Sequence, residues 1–134
     1  MKLVKQIDKT GCGIACVAML AGITYSTVRR LMFPDPKTRE FYTSTNDVRV
    51  ALKQLGFDVA NRLVPIRRNQ LPPITENAII KMNLKPSTGA WHWAVWDAER
   101  RRLLDPRRPP YRRRRYVSHL IVKPLPPPQS VAPG

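Results

Sequence analysis

Residues that build metal sites and disulfide frameworks are scarce in this sequence. Its 134 residues include only two cysteines and two histidines. Cys12 and Cys16 are separated by about one helical turn, which is a poor arrangement for a disulfide bond. The cysteines and histidines also lack the spacing of a zinc site. We therefore expect neither a disulfide nor a bound metal, and nothing in the sequence indicates another cofactor.

Long apolar runs are also absent. The longest one, Cys16–Ile23, is far shorter than the roughly 20 residues that a membrane-spanning helix needs. Residues Met1–Thr10 are polar and charged, and they lack the apolar segment of a signal peptide. These features predict a cytoplasmic protein without a membrane span.

Acidic residues are few, because nine Asp and Glu residues stand against 24 Lys and Arg residues and leave a net charge of +15. Nine arginines and one acid lie between residues 100 and 115. We name these arginines the arginine block: Arg100, Arg101, Arg102, Arg107, Arg108, Arg112, Arg113, Arg114 and Arg115. Such a block attracts acidic molecules, although runs of like charge are often simply solvated loops. We expect it to bind an acidic peptide segment or, without sequence preference, a polyanion such as nucleic acid, since no helix-turn-helix or RNA-binding motif accompanies it.

The spacing of apolar and turn-forming residues predicts three helices followed by strands. The helices are expected at about 11–21, 26–32 and 45–55. The strands are expected at about 57–63, 77–84, 91–96, 101–104 and 116–122. Helices first and an antiparallel sheet after them indicate an α+β fold with the N-terminal helices packed on the sheet. The predicted domain spans 1–123, and the proline-rich segment 124–134 is expected to be an extended or disordered tail.

Cys12 stands out because glycines flank it at the start of an apolar helix. Thr10 is expected to cap this helix, which places Cys12 in the first turn, where unpaired N–H groups and the helix dipole favour a thiolate. Gly11 and Gly13 are poor helix formers, and we interpret them as leaving room for a molecule that approaches the thiol. Cys16 is better explained as part of the buried face. A buried and unreactive role is also the alternative for Cys12, because free cysteines are usually buried.

A base and an acid are available for this thiol. His92 begins a predicted strand and Asp105 ends the next one, so the two lie opposite each other on adjacent antiparallel strands. A nucleophilic thiol needs a base, and the base needs a carboxylate that orients it. The alternatives are a hydrogen-bonded core histidine at 92 and a turn acid at 105. Asp97 is the rival acid, but it is expected to be solvated in the hairpin turn with Glu99. His119 is the rival base, without a nearby acid.

A glutamine completes the pattern, which reads Q-x5-C-G-x-A-C-x-x-M, then H-W-A-V-W-D, then L-L-D-P. Gln6 lies six residues before Cys12, and a side-chain amide there can donate to a developing oxyanion beside the cysteine N–H. The whole pattern resembles the C39-type cysteine peptidases of the papain-like superfamily. The resemblance implies that Cys12 is the nucleophile, His92 the base, Asp105 the orienting acid and Gln6 the oxyanion donor. Gly11 departs from the family, in which an acid often precedes the cysteine.

The resemblance implies a papain-like fold and a stand-alone thiol peptidase, or related amide hydrolase, that acts on a peptide or protein. The best-known members cut leader peptides after a double glycine and are fused to an ABC transporter. A chain of 134 residues has no room for a transporter, so that role is not carried over. Two alternatives remain open. The triad can transfer an acyl group instead of hydrolysing it, or the domain can be a binding module that works through the arginine block.

Overall fold

The computed structural model describes residues 1–71 and 73–126. The three helices are α1 (Cys12–Ala21), α2 (Tyr25–Met32) and α3 (Thr45–Gln54). The strands are β1 (Phe57–Val59), β2 (Val64–Pro65), β3 (Ala78–Met82), β4 (His92–Asp97), β5 (Arg102–Leu104) and β6 (Tyr116–Pro124). The paired strands are antiparallel, so the predicted α+β class with N-terminal helices on an antiparallel sheet is confirmed.

Local sequence signals define the ends of the helices. α1 ends at Gly22, which has the left-handed backbone conformation, with φ of 69°, that glycine adopts without strain. α3 begins with a capping box in which the side chain of Ser44 accepts from Asp47 N–H and the Asp47 carboxylate accepts from Ser44 N–H. Thr24 caps α2 in the simpler one-sided way. These signals account for the agreement between the predicted and observed helices.

The predicted cap of α1 was wrong. Gly11 is the N-cap residue, and no side chain caps this helix. The Thr10 hydroxyl instead accepts a hydrogen bond of 2.7 Å from the backbone N–H of Phe41. A tertiary contact therefore uses the oxygen that the local pattern assigned to the helix. Cys12 is still the first helical residue, as predicted.

The sheet places the start of β4 beside the end of β5. Its strand order is β1-β6-β3-β4-β5, and β2 pairs with β6 away from this path. In the β4–β5 pair Val95 lies opposite Leu104 and Asp97 lies opposite Arg102. The predicted strand at 57–63 is shorter than expected and is followed by the separate β2. The antiparallel register is what brings residue 105 to the end of the sheet where β4 begins.

α1 is buried against the sheet, chiefly against β4. The fully buried residues of this core, including those of α1 itself, are Ile14, Ala15, Cys16, Val17, Ala18, Val28, Val48, Leu52, Ile79, Val95 and Leu120. Because the middle of α1 is held in this core, its first turn is fixed relative to the start of β4. The core thus sets the distance between residues 12 and 92.

The C-terminal strand runs slightly past the predicted domain end. β6 reaches Pro124, opposite Phe57, and Leu125 N–H donates to Gly56 O at 3.2 Å. Of the predicted tail, residues 127–134 lie outside the described part of the chain. Among the described residues no single helix is long and apolar enough to cross a membrane; only α1 and α2 together, bent by 116°, have that length and composition.

Candidate active site

His92 and Asp105 meet in a buried ion pair at the end of the sheet. Nε2 of His92 lies 2.7 Å from Oδ1 of Asp105. The Asp105 carboxylate also accepts from the backbone N–H groups of Arg107, at 3.0 Å, and Tyr111, at 2.9 Å. Three hydrogen bonds therefore hold this carboxylate against the imidazole ring. The hairpin in the sequence predicted that these two residues are neighbours.

Asp97, the rival acid, has different partners. Its Oδ2 lies 3.4 Å from Nε of Arg102 and 3.8 Å from a terminal nitrogen of Arg100. The aspartate is the last residue of β4 and is buried, so the expectation that it is solvated in the turn was wrong. Both arginine side chains are about half exposed. Asp97 therefore neutralises two members of the arginine block and is not the acid beside His92.

Cys12 lies near the His92 ring. Its thiol is half-buried in the first turn of α1 and lines the same pocket as the His92 ring. Because Asp105 engages Nε2, Nδ1 is the ring nitrogen that remains for the thiol. The structure thus places Cys12 and His92 in one pocket, with Asp105 hydrogen-bonded to the His92 ring. Cys16, one turn further along, is completely buried.

The surroundings of His92 favour its charged form. Burial is the largest single influence and lowers the pKa of His92. The hydrogen bond to Asp105 and the electrostatic influence of the nearby Asp105 and Cys12 outweigh burial and raise the pKa to about 9. For Asp105 burial again opposes the charged form, but the contacts with His92 and with two backbone N–H groups bring the pKa below its usual value of 3.8. The site therefore holds an imidazolium next to a carboxylate at neutral pH.

Burial favours the neutral forms of His119 and Cys16, in contrast to His92, which is charged. Desolvation lowers the pKa of His119, the rival base, below its usual value of 6.5. Desolvation, followed by the negative charges of Cys12 and Asp105, raises the pKa of the Cys16 thiol well above its usual value. Both groups are therefore neutral near pH 7.

Gln6 lies beside the site but has other hydrogen-bond partners. Its Nε2 donates to the carbonyl oxygens of Asp8, at 3.2 Å, and Lys9, at 2.9 Å. Both of its N–H bonds are therefore engaged within the loop that leads to Cys12. The backbone N–H of Gln6 donates to Pro106 O at 2.9 Å. That bond ties the loop to the segment that follows Asp105.

The interpretation of the two glycines as space for an approaching molecule was wrong. A side chain at Gly11 would coincide with the Tyr25 hydroxyl, and one at Gly13 would coincide with Thr43 Oγ1. The Tyr25 hydroxyl donates to Asp8 Oδ2 at 2.7 Å, so it is fixed where it lies. The protein's own side chains fill the space, and they permit only glycine at these two positions.

Two pockets meet at Cys12. We name the first the aromatic pocket; it has a volume of about 440 Å³. Its lining contains no charged residue and includes Tyr42, Thr43, Ser44, Thr88, Trp91 and Trp93. We name the second the cationic pocket; it has a volume of about 290 Å³. Its lining includes His92 and Gln6 together with Lys9, Asn83, Lys85, Arg107 and Tyr111. Five residues line both pockets: Thr10, Cys12, Tyr42, Ala90 and Trp91.

Tyr111 is a site residue that sequence reasoning did not identify as one. Its ring packs edge-on against His92, with 4.9 Å between the ring centroids, and its backbone N–H binds Asp105. The guanidinium of Arg107 lies 4.0 Å from the centroid of the same ring. The only signal in the sequence was the position of these residues just after Asp105-Pro106, and position alone does not reveal a contact.

The last four arginines of the arginine block lie on a fixed backbone. The Asn69 side chain donates to Arg114 O at 2.9 Å and accepts from Tyr116 N–H at 2.9 Å. The Asn83 side chain donates to Arg113 O at 3.1 Å and accepts from Arg115 N–H at 2.8 Å. Two asparagines thus fix the main chain of segment 112–115, whose side chains are mostly exposed.

Comparisons with known proteins support the fold. No protein-family model matches the sequence, and no curated protein is significantly similar to it. Among solved structures, the chain is similar to the peptidase domain of Streptococcus ComA, a bi-functional ABC transporter involved in a quorum-sensing pathway, with 21% identity, a TM-score of 0.67, and coverage of 92% of this chain and 98% of that one. The peptidase domain of Streptococcus mutans ComA matches with 22% identity, a TM-score of 0.61, and coverage of 92% and 100%. The chain therefore has the papain-like α+β fold of the C39-type peptidase domains, which confirms the resemblance at the level of the fold.

Proposed function

We propose that this protein is a cysteine peptidase, or a related amide hydrolase, that acts on a peptide. The observation that carries the proposal is the hydrogen bond of 2.7 Å between Asp105 and His92, whose ring lines a pocket together with Cys12. Cys12 also lines the second pocket. The ComA domains, which share this fold and are peptidase domains by name, support a peptide as the substrate.

The first half of the reaction forms a thioester. His92 takes the proton of Cys12, because the carboxylate of Asp105 stabilises the imidazolium that forms. The thiolate attacks the carbonyl carbon of the substrate, and the electrons of the C=O bond move to the oxygen. When that intermediate collapses, the C–N bond breaks and His92 Nδ1 gives its proton to the leaving nitrogen. An amine leaves, and the acyl group stays on Cys12.

The second half consumes water. Nδ1 takes a proton from a water molecule as its oxygen attacks the thioester carbon. The C–S bond then breaks, a carboxylic acid leaves, and the thiolate–imidazolium pair is restored. In both halves the oxyanion lies near the Cys12 N–H, which belongs to the first turn of α1, where N–H groups have no intrahelical acceptor. For Gln6 to donate to the oxyanion as well, its amide must give up at least one of its two carbonyl contacts.

Labelling with a thiol-directed acyl probe tests this proposal. We expect covalent modification of Cys12 in the native protein and none at position 12 in Cys12→Ala. Brief iodoacetamide treatment near neutral pH, followed by mass spectrometry, is expected to modify Cys12 before Cys16, because burial keeps Cys16 protonated and inaccessible. Equal modification of both cysteines, together with no cleavage of any peptide in a mixed library, contradicts the proposal.

Acyl transfer is distinguished from hydrolysis by the fate of the acyl group. With an added primary amine, a hydrolase still yields mainly the carboxylic acid, whereas a transferase yields the new amide. Mass spectrometry of the products in normal and ¹⁸O-labelled water separates the two. Hydrolysis incorporates one labelled oxygen into the acyl product.

Binding of an acidic partner is a second candidate function, and the fixed backbone of segment 112–115 favours it. We expect Arg112→Gln combined with Arg113→Gln to weaken the binding of unrelated DNA, RNA and acidic peptides. The control is Arg62→Gln, an exposed arginine outside the block. Binding should fall steeply between about 50 and 200 mM salt. Salt-resistant preference for one nucleic-acid sequence would contradict simple charge attraction.

A further inference from the structure

The two pockets at Cys12 accommodate opposite ends of a substrate, and the chemistry assigns the ends. The acyl group stays on the thiol, whereas the leaving amine must receive its proton from His92. His92 lines the cationic pocket and does not line the aromatic pocket. The residue that follows the cleaved bond therefore enters the cationic pocket. The residues that precede the bond enter the aromatic pocket. This assignment rests on the proposed function.

The cationic pocket carries three positive side chains besides His92. They belong to Lys9, Lys85 and Arg107, and no acidic residue contributes to the lining. Within residues 1–71 and 73–126, none of the three forms an ion pair. Asp105 lies behind His92, and its own bonds to the ring and to two N–H groups engage its oxygens. The pocket thus presents positive charge that the protein itself does not neutralise.

Arg107 is held in place by contacts with its neighbours. Its guanidinium stacks 4.0 Å from the centroid of Tyr111 and donates to Pro109 O at 3.1 Å, and its backbone N–H binds Asp105. Tyr111 in turn packs on His92. The guanidinium is therefore held one ring away from the base, with donors left for a ligand. A planar guanidinium in a fixed position is suited to bind a carboxylate through two parallel hydrogen bonds.

The aromatic pocket differs in charge, because hydroxyl groups and aromatic rings form it. Trp93 Nε1 donates to Thr43 Oγ1 at 3.1 Å, which fixes the polar group in the pocket wall. No residue in this lining carries a charge that would neutralise a charged side chain of the substrate. The residues before the cleaved bond are therefore expected to be uncharged.

We propose that the enzyme cleaves peptides on the amino side of an acidic residue, so that the Asp or Glu that follows the cleaved bond is held by Arg107 with help from Lys9 and Lys85. The preference arises on the leaving side of the reaction. It is set by a residue that contacts the substrate and takes no part in proton transfer.

A peptide library and matched peptide pairs test this inference. Digestion of a mixed library by the native protein, with Cys12→Ala as the blank, locates the cleaved bonds by mass spectrometry. Two peptides that differ only in Asp or Asn after the cleaved bond then give the ratio of kcat/KM values. We expect a ratio on the order of tenfold in favour of Asp, the size of one charge-assisted hydrogen-bonded contact. Raising the salt concentration should reduce it.

Substitutions of Arg107 identify the source of the preference. In Arg107→Gln the Asp/Asn ratio should fall close to one, and Arg107→Lys should retain part of it because the charge remains without the planar geometry. Arg62→Gln removes an exposed arginine that does not line the cationic pocket, and it should keep the native ratio. General damage to the fold lowers both rates alike, so the ratio separates recognition from structural damage.

The possible outcomes separate the inference from the proposed function. Cleavage without a preference for acidic residues, or a ratio that survives Arg107→Gln, overturns the inference and leaves a peptidase. Failure to cleave any library peptide, together with no probe labelling at Cys12, overturns both. A library enriched in Asp and Glu after the cleaved bond, with the ratio lost only in the Arg107 variants, supports both.

Discussion

The two histidines are equally buried and have opposite electrostatic properties. His92 and His119 are each 7% exposed. His92 contacts a carboxylate and lies near a thiol, and its pKa rises to about 9. His119 lies on β6 opposite Ile80, its Nδ1 has no hydrogen-bond partner among the described residues, and burial lowers its pKa. The partners of each ring, and not its depth of burial, therefore decide which imidazole is charged at neutral pH.

Substitution of each histidine in turn is expected to give the largest difference in kcat. His92→Ala removes the group that exchanges protons with Cys12 and the leaving amine, so kcat should fall by about 10⁴-fold or more. His119→Leu should keep kcat near its native value. Hydrolysis of a library-derived peptide measures both. A decrease of kcat in His119→Leu equal to that in His92→Ala would instead indicate that His119 is the base.

Removal of the carboxylate partner tests why His92 is charged. Asp105→Asn should lower kcat on the order of 10³-fold and shift the pKa of His92 downward, because the amide cannot stabilise an imidazolium as a carboxylate does. Asp97→Asn is the matched control, since it removes a buried aspartate that pairs with arginines. It should lower the free energy of unfolding and leave the His92 titration in place. An unchanged His92 pKa in Asp105→Asn contradicts the assignment.

The two histidines are also expected to titrate at different pH values. NMR titration should give a midpoint of about 9 for His92 and one below 6.5 for His119. Because the folded pKa of His92 is raised, its contribution to stability is fully present below the unfolded value of 6.5 and is lost as the pH rises through about 9. The folded pKa of His119 is lowered, so its contribution is present above 6.5 and is lost as the pH falls.

Catalysis should follow the His92 titration. Proton donation to the leaving amine requires the imidazolium, so kcat/KM should decrease as the pH rises past about 9. In His119→Leu this basic limb should be unchanged. A basic limb near 6.5 would contradict the ion pair between His92 and Asp105.

The smallest expected effect concerns the stability of His119→Leu. Burial of a ring nitrogen without a partner has a free-energy cost, and replacement by an apolar side chain of similar size removes that cost. The free energy of unfolding should therefore be unchanged or rise by about 1 kcal/mol, measured by urea denaturation at neutral pH. His92→Leu, which leaves the Asp105 carboxylate unpaired, should instead be clearly destabilised. A large loss of stability in His119→Leu would point to a partner for Nδ1.

Features that depend on neighbouring residues in the chain were predictable from the sequence. Gly22 and the Ser44–Asp47 capping box define helix ends through local backbone geometry, and the hairpin between β4 and β5 fixes the pairing of His92 with Asp105. The positions of the helices and of most strands therefore agree with prediction. A local pattern and a short connection are enough to determine such features.

Features that depend on distant residues were not predictable. The Thr10 hydroxyl binds Phe41 N–H, 31 positions away, so it does not cap α1. Gly13 is required by Thr43, and Tyr111 contacts His92 across a loop with no regular pattern. Each case needs the three-dimensional position of a partner that no periodicity or spacing encodes. The charge of the cationic pocket is of the same kind, since its residues come from separate segments of the chain.

A side chain at position 11 would overlap with the Tyr25 hydroxyl. Positions 11 and 25 are therefore expected to vary together in related sequences. The Tyr25 hydroxyl occupies the place of a side chain at position 11 and is held there by Asp8. In homologues that carry an acid or any other side chain before the cysteine, position 25 should hold a residue without that hydroxyl. A selection for folded variants should reject Gly11→Ala alone and tolerate it more readily together with Tyr25→Phe, whose ring would still lie close, at 3.1 Å from the new carbon. An alignment of relatives can thus reveal this contact through paired substitutions.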